Sequence, residues 1–247
     1  MIPTLTLIGI GTGHPDHLTE QARKAIRSAD LILVPHKGSS KSDLADLRFQ
    51  IIEGLRPLDE TVVTFQMPVR DGTRDYVDAV NQWHDEIAAI WTGKIVDAGN
   101  PENAALLVWG DPSLYDSTIR IAKRLDPLRK IVVVPGLTSV QLLTAAHAIP
   151  LNTLAAPVTI TTGRRLRDQG WPDGAETLAV MLDGGCAFRH LDPGDFDIWW
   201  GAYLGMAEEI LCSGPLADVS EQIQRLRAEA RADHGWIMDV YLLRRRA

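Results

Sequence analysis

Cysteine is scarce in this chain of 247 residues: Cys186 and Cys212 are the only two, far apart and outside any C-x-x-C pair. That leaves neither a disulfide framework nor a structural zinc site indicated, and two buried thiols are the expectation. Positive charge is also short, with 25 Lys and Arg against 32 Asp and Glu and a formal net charge of −7. Nonspecific binders of nucleic acid or of membrane surfaces need a basic face, so neither partner is expected, and any anionic ligand must meet a local group of cations. Apolar runs stop at about six residues, far below the ~20 that cross a bilayer. Met1 to Leu7 carries no basic stretch ahead of an apolar one, so the cytoplasm is the expected location. Internal repeats and low-complexity tracts are missing.

A nucleotide fingerprint begins and then fails. Leu7-Ile8-Gly9-Ile10-Gly11-Thr12-Gly13-His14-Pro15 starts like the dinucleotide pattern G-x-G-x-x-G, in which a third glycine leads into a helix and an acidic residue about 20 positions later holds a ribose. His14 stands where that glycine belongs, and the second apolar run ends in Pro35-His36 rather than Asp or Glu. No G-K-[ST] follows, so a P-loop fails too, and nicotinamide and nucleoside triphosphates drop out as expected ligands. What remains is bare main chain at a strand end, followed by a helix start over Asp16 to Thr19.

What is present is a composition of 45% hydrophobic and 23% charged residues, enough to bury a full core in one large domain or two smaller ones. Leu5 to Ile10, Leu31 to Val34, Val62 to Phe65, Leu106 to Trp109 and Ile131 to Val134 read as buried parallel strands. Between them Leu18 to Ser28, Leu44 to Leu55, Tyr76 to Trp91, Ser117 to Leu125 and Ser139 to His147 carry apolar residues at helical spacing. This predicts a wound, mostly parallel α/β sheet over residues 1–151. After Ile149-Pro150 the texture changes. Strands are expected at Val158 to Thr162, Thr177 to Leu182, Ile198 to Leu204 and Trp236 to Leu243, with one long helix, Leu216 to Ala230. Residues 152–247 are therefore expected to form a second α/β domain with a mixed sheet. Arg164 to Gly174 and Gly184 to Asp197 read as loops lining a surface or cleft.

Two further strand ends resemble the first. Val108-Trp109-Gly110-Asp111-Pro112-Ser113-Leu114-Tyr115 follows the fourth strand and Val134-Pro135-Gly136-Leu137-Thr138-Ser139 the fifth. Alone each is ordinary turn chemistry. Three such turns on one edge of a parallel sheet converge on the crevice where α/β folds bind ligands.

In this order, and followed by a mixed C-terminal domain, the three turns resemble the S-adenosylmethionine-dependent tetrapyrrole methyltransferases over nearly the whole chain. The family's first turn reads G-x-G-P-G-D-P; here Thr12 and His14 replace its Pro and Asp. The resemblance implies two α/β domains, a homodimer, and a methyl donor folded in a cleft between the domains, with S-adenosylhomocysteine as product. It implies that Thr12, Gly110, Asp111 and Leu114 contact the donor, that Thr138 and Ser139 lie alongside, and that Met181 or Leu182, with a segment around Leu204 and Gly205, holds the adenosine. Gly-Thr-Gly-His-Pro-Asp-His-Leu-Thr-Glu-Gln-Ala and the stretch from Val134 to His147, with the long segment from Pro35 to Ala104, are similar to one branch of the family. That branch works in aerobic cobalamin synthesis, methylating precorrin-5 at C1 with loss of the acetyl group there as acetate. Methylation of another corrinoid or porphyrinogen, and a donor-binding module without turnover, stay open as alternatives.

Methyl transfer from a sulfonium is an in-line displacement that needs alignment and exclusion of water, not a metal. The seven histidines are scattered, and His14 with His17 lacks a nearby third ligand. Loss of the acetyl group needs a general base, for which His14, Asp16 and His17 in the altered turn are the candidates, while Tyr115 is placed to meet a developing oxyanion. A macrocycle fringed with carboxylates calls for guanidinium groups: Arg164, Arg165 and Arg167 form the best cluster, ahead of Arg244 to Arg246 and of Lys37 with Lys41.

Overall fold

The computed structural model describes residues 3–36, 42–71, 73 and 75–246. The chain divides into two compact units, Met1–Leu137 and Thr138–Ala247. In the first, β1 (Thr4–Gly9), β2 (Leu31–His36), β3 (Val62–Gln66), β4 (Asn103–Val108) and β5 (Lys130–Val134) form one sheet in the order β3-β2-β4-β1-β5. Every pairing is parallel, so all five carboxyl ends lie along the same edge.

The alternation along these strands feeds two apolar layers, which is why they read as continuous hydrophobic runs. Leu5, Leu7, Leu31, Leu33 and Leu106 pack with Ile87, Trp91 and Ile95 of α3 (Tyr76–Asp97) and Ile121 of α4 (Thr118–Ala122). Ile8, Ile32, Val34 and Leu107 pack on the other face with Ala22 and Ile26 of α1 (Glu20–Ser28) and Ile51 and Ile52 of α2 (Ser42–Glu53). Helix α1 starts where the Thr19 hydroxyl accepts from the Ala22 N–H at 3.0 Å. The connection from β1 to α1 holds a short 3-10 turn, Pro15–His17, ahead of the helix.

The second unit carries β6 (Val158–Thr162), β7 (Thr177–Met181), β8 (Phe196–Ala202), β9 (Ile210–Pro215) and β10 (Asp239–Arg245) in the order β6-β7-β10-β8-β9. Only β6 and β7 run parallel, so the sheet is mixed as expected. Its core gathers Leu178, Val180, Ile198, Trp200, Tyr241 and Leu243 with Leu166 of α6 (Gly163–Gln169) and Leu216 and Ile223 of α7 (Leu216–His234).

Helix α5 (Ser139–Ala146) packs on β8 and β10. Gly201 is the close point: a Cβ there would lie 3.0 Å from a Leu143 methyl. Residues 138–151 therefore group with the second sheet, whereas the boundary expected from the sequence follows Leu151.

Three other details depart from expectation. Residues 163–169 are helical, not loop, because Thr162 caps the helix and Leu166 supplies its one buried apolar anchor. Ile210–Pro215 is an extra edge strand whose Cys-Ser-Gly-Pro ending reads as a turn. Helix α3 continues past Trp91 to Asp97 because Ile95 still reaches the core.

Candidate functional site

The first unit's three glycine turns meet through their main chains. Gly11 donates to the Gly110 carbonyl at 3.2 Å and Gly110 returns a bond to Gly11 at 2.7 Å, an isolated two-way bridge just beyond β1 and β4. A Cβ on Gly9 would sit 2.5 Å from the Gly136 nitrogen and 2.9 Å from the Gly110 oxygen, and one on Gly136 would sit 2.8 Å from the Gly9 Cα. No side chain of any size fits there, so these glycines let the ends of β1, β4 and β5 close on one another. Gly11 and Gly110 are also left-handed, at φ 70° and 60°.

Asp111 ties two of those turns together. It is buried, and its carboxylate accepts from the Gly136 N–H at 2.9 Å, from the Ser113 N–H at 2.8 Å and from the Ser113 hydroxyl. Burial alone would raise its pKa, but these hydrogen bonds outweigh burial and hold the carboxyl below its ordinary range. Both oxygens are thus engaged by the protein itself. Leu114, half-buried, and Tyr115, exposed, follow, and Tyr115 is left-handed (φ 50°).

Thr12 and Gly13 lead into His14, which caps the 3-10 turn: its Nδ1 accepts from the Asp16 N–H at 3.1 Å. A neutral ring bonded in this way carries its proton on Nε2, so His14 presents a donor and not a lone pair. The Nδ1 lone pair of His14 is thus engaged by the cap in this conformation. The Asp16 carboxylate lies 3.7 Å from Nδ1 and is exposed. The His17 ring sits 5.5 Å from that of His14, and the His17 Cβ backs against Gly11.

Arg48 at this sheet edge was not legible in the sequence. Its buried guanidinium donates to the Leu107 carbonyl at 3.1 Å and lies 5.2 Å from the centre of the Trp109 ring. Burial pushes its pKa down to about 10, with Asp116 acting the other way. Its partners are a carbonyl and an indole from a distant strand, so no local pattern announces it. Trp109 itself has a buried indole N–H without a partner.

In the second unit, Thr138 spends its hydroxyl on a capping box with Gln141, which leaves Ser139 as the first residue of α5. Met181 ends β7 half-buried, and Leu182 follows it left-handed at φ 52° and 66% exposed. Tyr203 is left-handed in the same way after β8. Leu204 is buried with its methyl against Gly201, and the Gly205 N–H donates to Glu209 at 2.7 Å.

The arginine cluster lies on α6, exposed. Arg165 bonds Gln169 at 3.1 Å, Arg167 pairs with Asp168 at 2.8 Å, and Arg164 precedes them on the helix's opening turn. Of the other basic candidates, Arg244 lies 5.1 Å from the centre of the Trp199 ring, Arg245 lies near Trp171 and Phe196, and Arg246 pairs with Asp197 at 3.6 Å. Lys37 and Lys41 fall outside the described residues. Among the described residues no group of three or more His, Cys, Asp or Glu could hold a metal ion, and no helix is long and apolar enough to cross a membrane.

A parallel sheet ending in mutually contacting glycine turns, with a mixed sheet after it, defines the class. The profile of the Tetrapyrrole (Corrin/Porphyrin) Methylases matches residues 4–220, and the chain belongs to that family. It is 45% identical over 251 aligned positions, 98% of this chain and 95% of the relative, to the protein from Sinorhizobium sp named precorrin-6A synthase [deacetylating]. The crystal structure of a cobalamin synthesis related protein (CobF) from Corynebacterium diphtheriae is 36% identical and superposes with a TM-score of 0.83 over 99% of both chains. Uroporphyrin-III C-methyltransferase from Thermus thermophilus, in its complex with S-adenosyl homocysteine, shares the fold at 19% identity, with a TM-score of 0.60 over 97% of this chain and 96% of that one.

Proposed function

We propose that the chain is an S-adenosylmethionine-dependent C-methyltransferase of cobalamin biosynthesis that methylates precorrin-5 at C1 and releases the acetyl group there as acetate, giving precorrin-6A. The 45% identity to the Sinorhizobium precorrin-6A synthase, over 98% of this chain, carries this reading, because that overlap takes in the strand-end turns of both units. The working form is a homodimer in the cytoplasm; sedimentation at twice the chain mass checks the first and cell fractionation the second.

The donor supplies an electrophilic methyl group on a sulfonium, and transfer needs the acceptor carbon in line at about 3 to 3.5 Å with water excluded. Thr12, Gly110 and Leu114 take its methionine part against bare main chain. Asp111 acts there by bracing the turn, since its oxygens are committed to Gly136 and Ser113. Thr138 and Ser139 lie alongside. Met181 and Leu182 wall the adenosine with side chains, whereas Leu204 and Gly205 contribute main chain, the Leu204 side chain being part of the core. Support comes from the left-handed residues Leu182 and Tyr203, each directly after a strand: strained backbone held at strand ends is a recurrent mark of functional segments.

In the deacetylating step water adds to the acetyl carbonyl, and the bond from C1 to the acetyl carbon breaks with its electron pair left on C1. Acetate departs. C1 then forms its bond to the methyl carbon as the carbon–sulfur bond breaks, with that pair going to sulfur. The Nε2–H of His14 and the hydroxyl of Tyr115 serve as donors to the carbonyl oxygen as it gains charge. Asp16 or His17 takes the proton from water. Arg164, Arg165 and Arg167 pair with the peripheral carboxylates of the macrocycle.

Incubation of the purified protein with precorrin-5 and methyl-labelled donor tests this. The expected product carries one labelled methyl and lacks one acetyl group by mass spectrometry, with one equivalent of acetate; absence of both overturns the reading. His14→Ala should slow acetate release on the order of 100-fold, as removal of one oxyanion donor does, with donor affinity unchanged.

A further inference from the structure

Two of the second unit's left-handed residues, Leu182 and Tyr203, are held by buried polar contacts that the sequence did not reveal. Asp183 follows Leu182 directly. Its carboxylate accepts from the Gly185 N–H at 2.9 Å, the Ala187 N–H at 2.6 Å and the Tyr241 hydroxyl at 2.7 Å. The Tyr241 phenol stays a donor because burial, with Asp183 beside it, pushes its pKa well above the ordinary value. Gly163 leaves the room: a Cβ there would overlap the Asp183 side chain.

The Asp183 carbonyl accepts from Arg227 Nη2 at 2.9 Å, and Arg227 Nε reaches the Asp239 carboxylate at 2.9 Å. Trp200 Nε1 donates to the same Asp239 oxygen at 3.0 Å. One turn further along α7 the Ala230 carbonyl accepts from the Tyr203 hydroxyl at 3.2 Å, and that hydroxyl also bonds the Trp236 carbonyl. The Tyr203 N–H donates to Met238 at 3.0 Å. Helix α7 is therefore the common strut of the two turns: Arg227 fixes the one after β7 and the Ala230 carbonyl the one after β8.

We propose that Arg227 and Tyr203 are positioning residues that preset the turns at Leu182 and Leu204-Gly205 for the adenosine of the donor. This rests on the function proposed above. Neither residue touches the donor in this assignment. They act by removing the conformational choices that two strained turns would otherwise regain, which a ligand would have to suppress on binding.

The test is the affinity for S-adenosylhomocysteine, measured by calorimetry on the full chain, together with the KM for the donor and kcat at saturating donor. Tyr203→Phe keeps the ring and removes the two hydroxyl bonds. Arg227→Lys keeps the charge opposite Asp239 but cannot span to the Asp183 carbonyl. Each should weaken binding and raise the KM by about tenfold, with kcat within a factor of two, as loss of one or two ordering hydrogen bonds implies. Ile223→Val trims the core of the same helix and should lower Tm without moving the affinity. Variants that melt earlier but bind as tightly as wild type overturn the proposal, because the network is then only structural. Wild-type protein that does not bind S-adenosylhomocysteine overturns the reading beneath it, and this proposal with it.

Discussion

The two units shape their strand ends by opposite means. In the first, side chains are removed: Gly9, Gly110 and Gly136 bring three main chains so close that nothing but hydrogen fits between them. In the second, side chains are added: Leu182 and Tyr203 take a backbone that glycine would adopt freely, and buried hydrogen bonds to Asp183, Tyr241, Arg227 and Tyr203 itself keep them there. Glycine gives close approach but no rigidity of its own, so one carboxylate, Asp111, supplies the cross-tie in the first unit. A left-handed non-glycine residue costs on the order of 1 to 2 kcal/mol and persists only where its surroundings over-determine it. Strand ends are thus shaped once by close approach of bare main chain and once by dense polar packing of side chains.

Substitutions at the two kinds of contact separate these devices, and the largest effect belongs to the first unit. Gly136→Ala drives a Cβ into the main chain of Gly9 and Gly110, which cannot step aside without parting β1, β4 and β5. A loss of about 3 kcal/mol or more is expected from overpacking against backbone, read as a fall in the denaturant midpoint. Gly163→Ala meets only the Asp183 side chain, which can rotate away after giving up its hydrogen bonds. About 2 kcal/mol is expected there, together with weaker binding of S-adenosylhomocysteine. If the two variants were equally destabilised, the distinction between main-chain and side-chain contact would be lost.

Asp111→Asn should cost about 2 kcal/mol at neutral pH, since the amide can replace the carboxylate toward only one of its two sets of donors. The pH dependence has a definite sign. The folded-state pKa of Asp111 lies below the unfolded value of about 3.9, so its stabilisation is fully present above that value and is lost as pH falls through the folded-state value. Urea titrations below about pH 4 should show a steeper loss for wild type than for the asparagine variant. The smallest effect is expected at the exposed arginines: Arg165→Ala should change stability by less than about 0.5 kcal/mol. The KM for the tetrapyrrole should nevertheless rise several-fold, and an unchanged KM removes Arg165 from the carboxylate-binding set.

Much of the first unit was legible. Its strands are buried on both faces, and such strands spell themselves as unbroken apolar runs, as in Leu5 to Ile10 or Leu31 to Val34. The turn residues stand next to them in sequence. Helix α6 was not legible, because three arginines hide a helix anchored by Leu166 alone. Nor was the engagement of Thr138 in a capping box, or of Gly205 with Glu209, visible as a reason to doubt free donor groups there. His14 shows the limit most sharply. Its identity suggested a base, and the engagement of its Nδ1 by the Asp16 N–H is something that identity alone does not reveal.

Local patterns by themselves determined the parallel character of the first sheet, the mixed character of the second, and the three glycine turns, since periodicity and turn chemistry act over a few neighbouring residues, while the strand order β3-β2-β4-β1-β5 was decided by the tertiary structure. Which atoms those turns leave available was decided only by tertiary structure. Arg48 against Trp109, Asp111 against Gly136, and Arg227 between Asp183 and Asp239 are pairings of residues far apart in the chain. A buried charge or donor must find its partner wherever folding brings one within about 3 Å, and no local pattern encodes that distance.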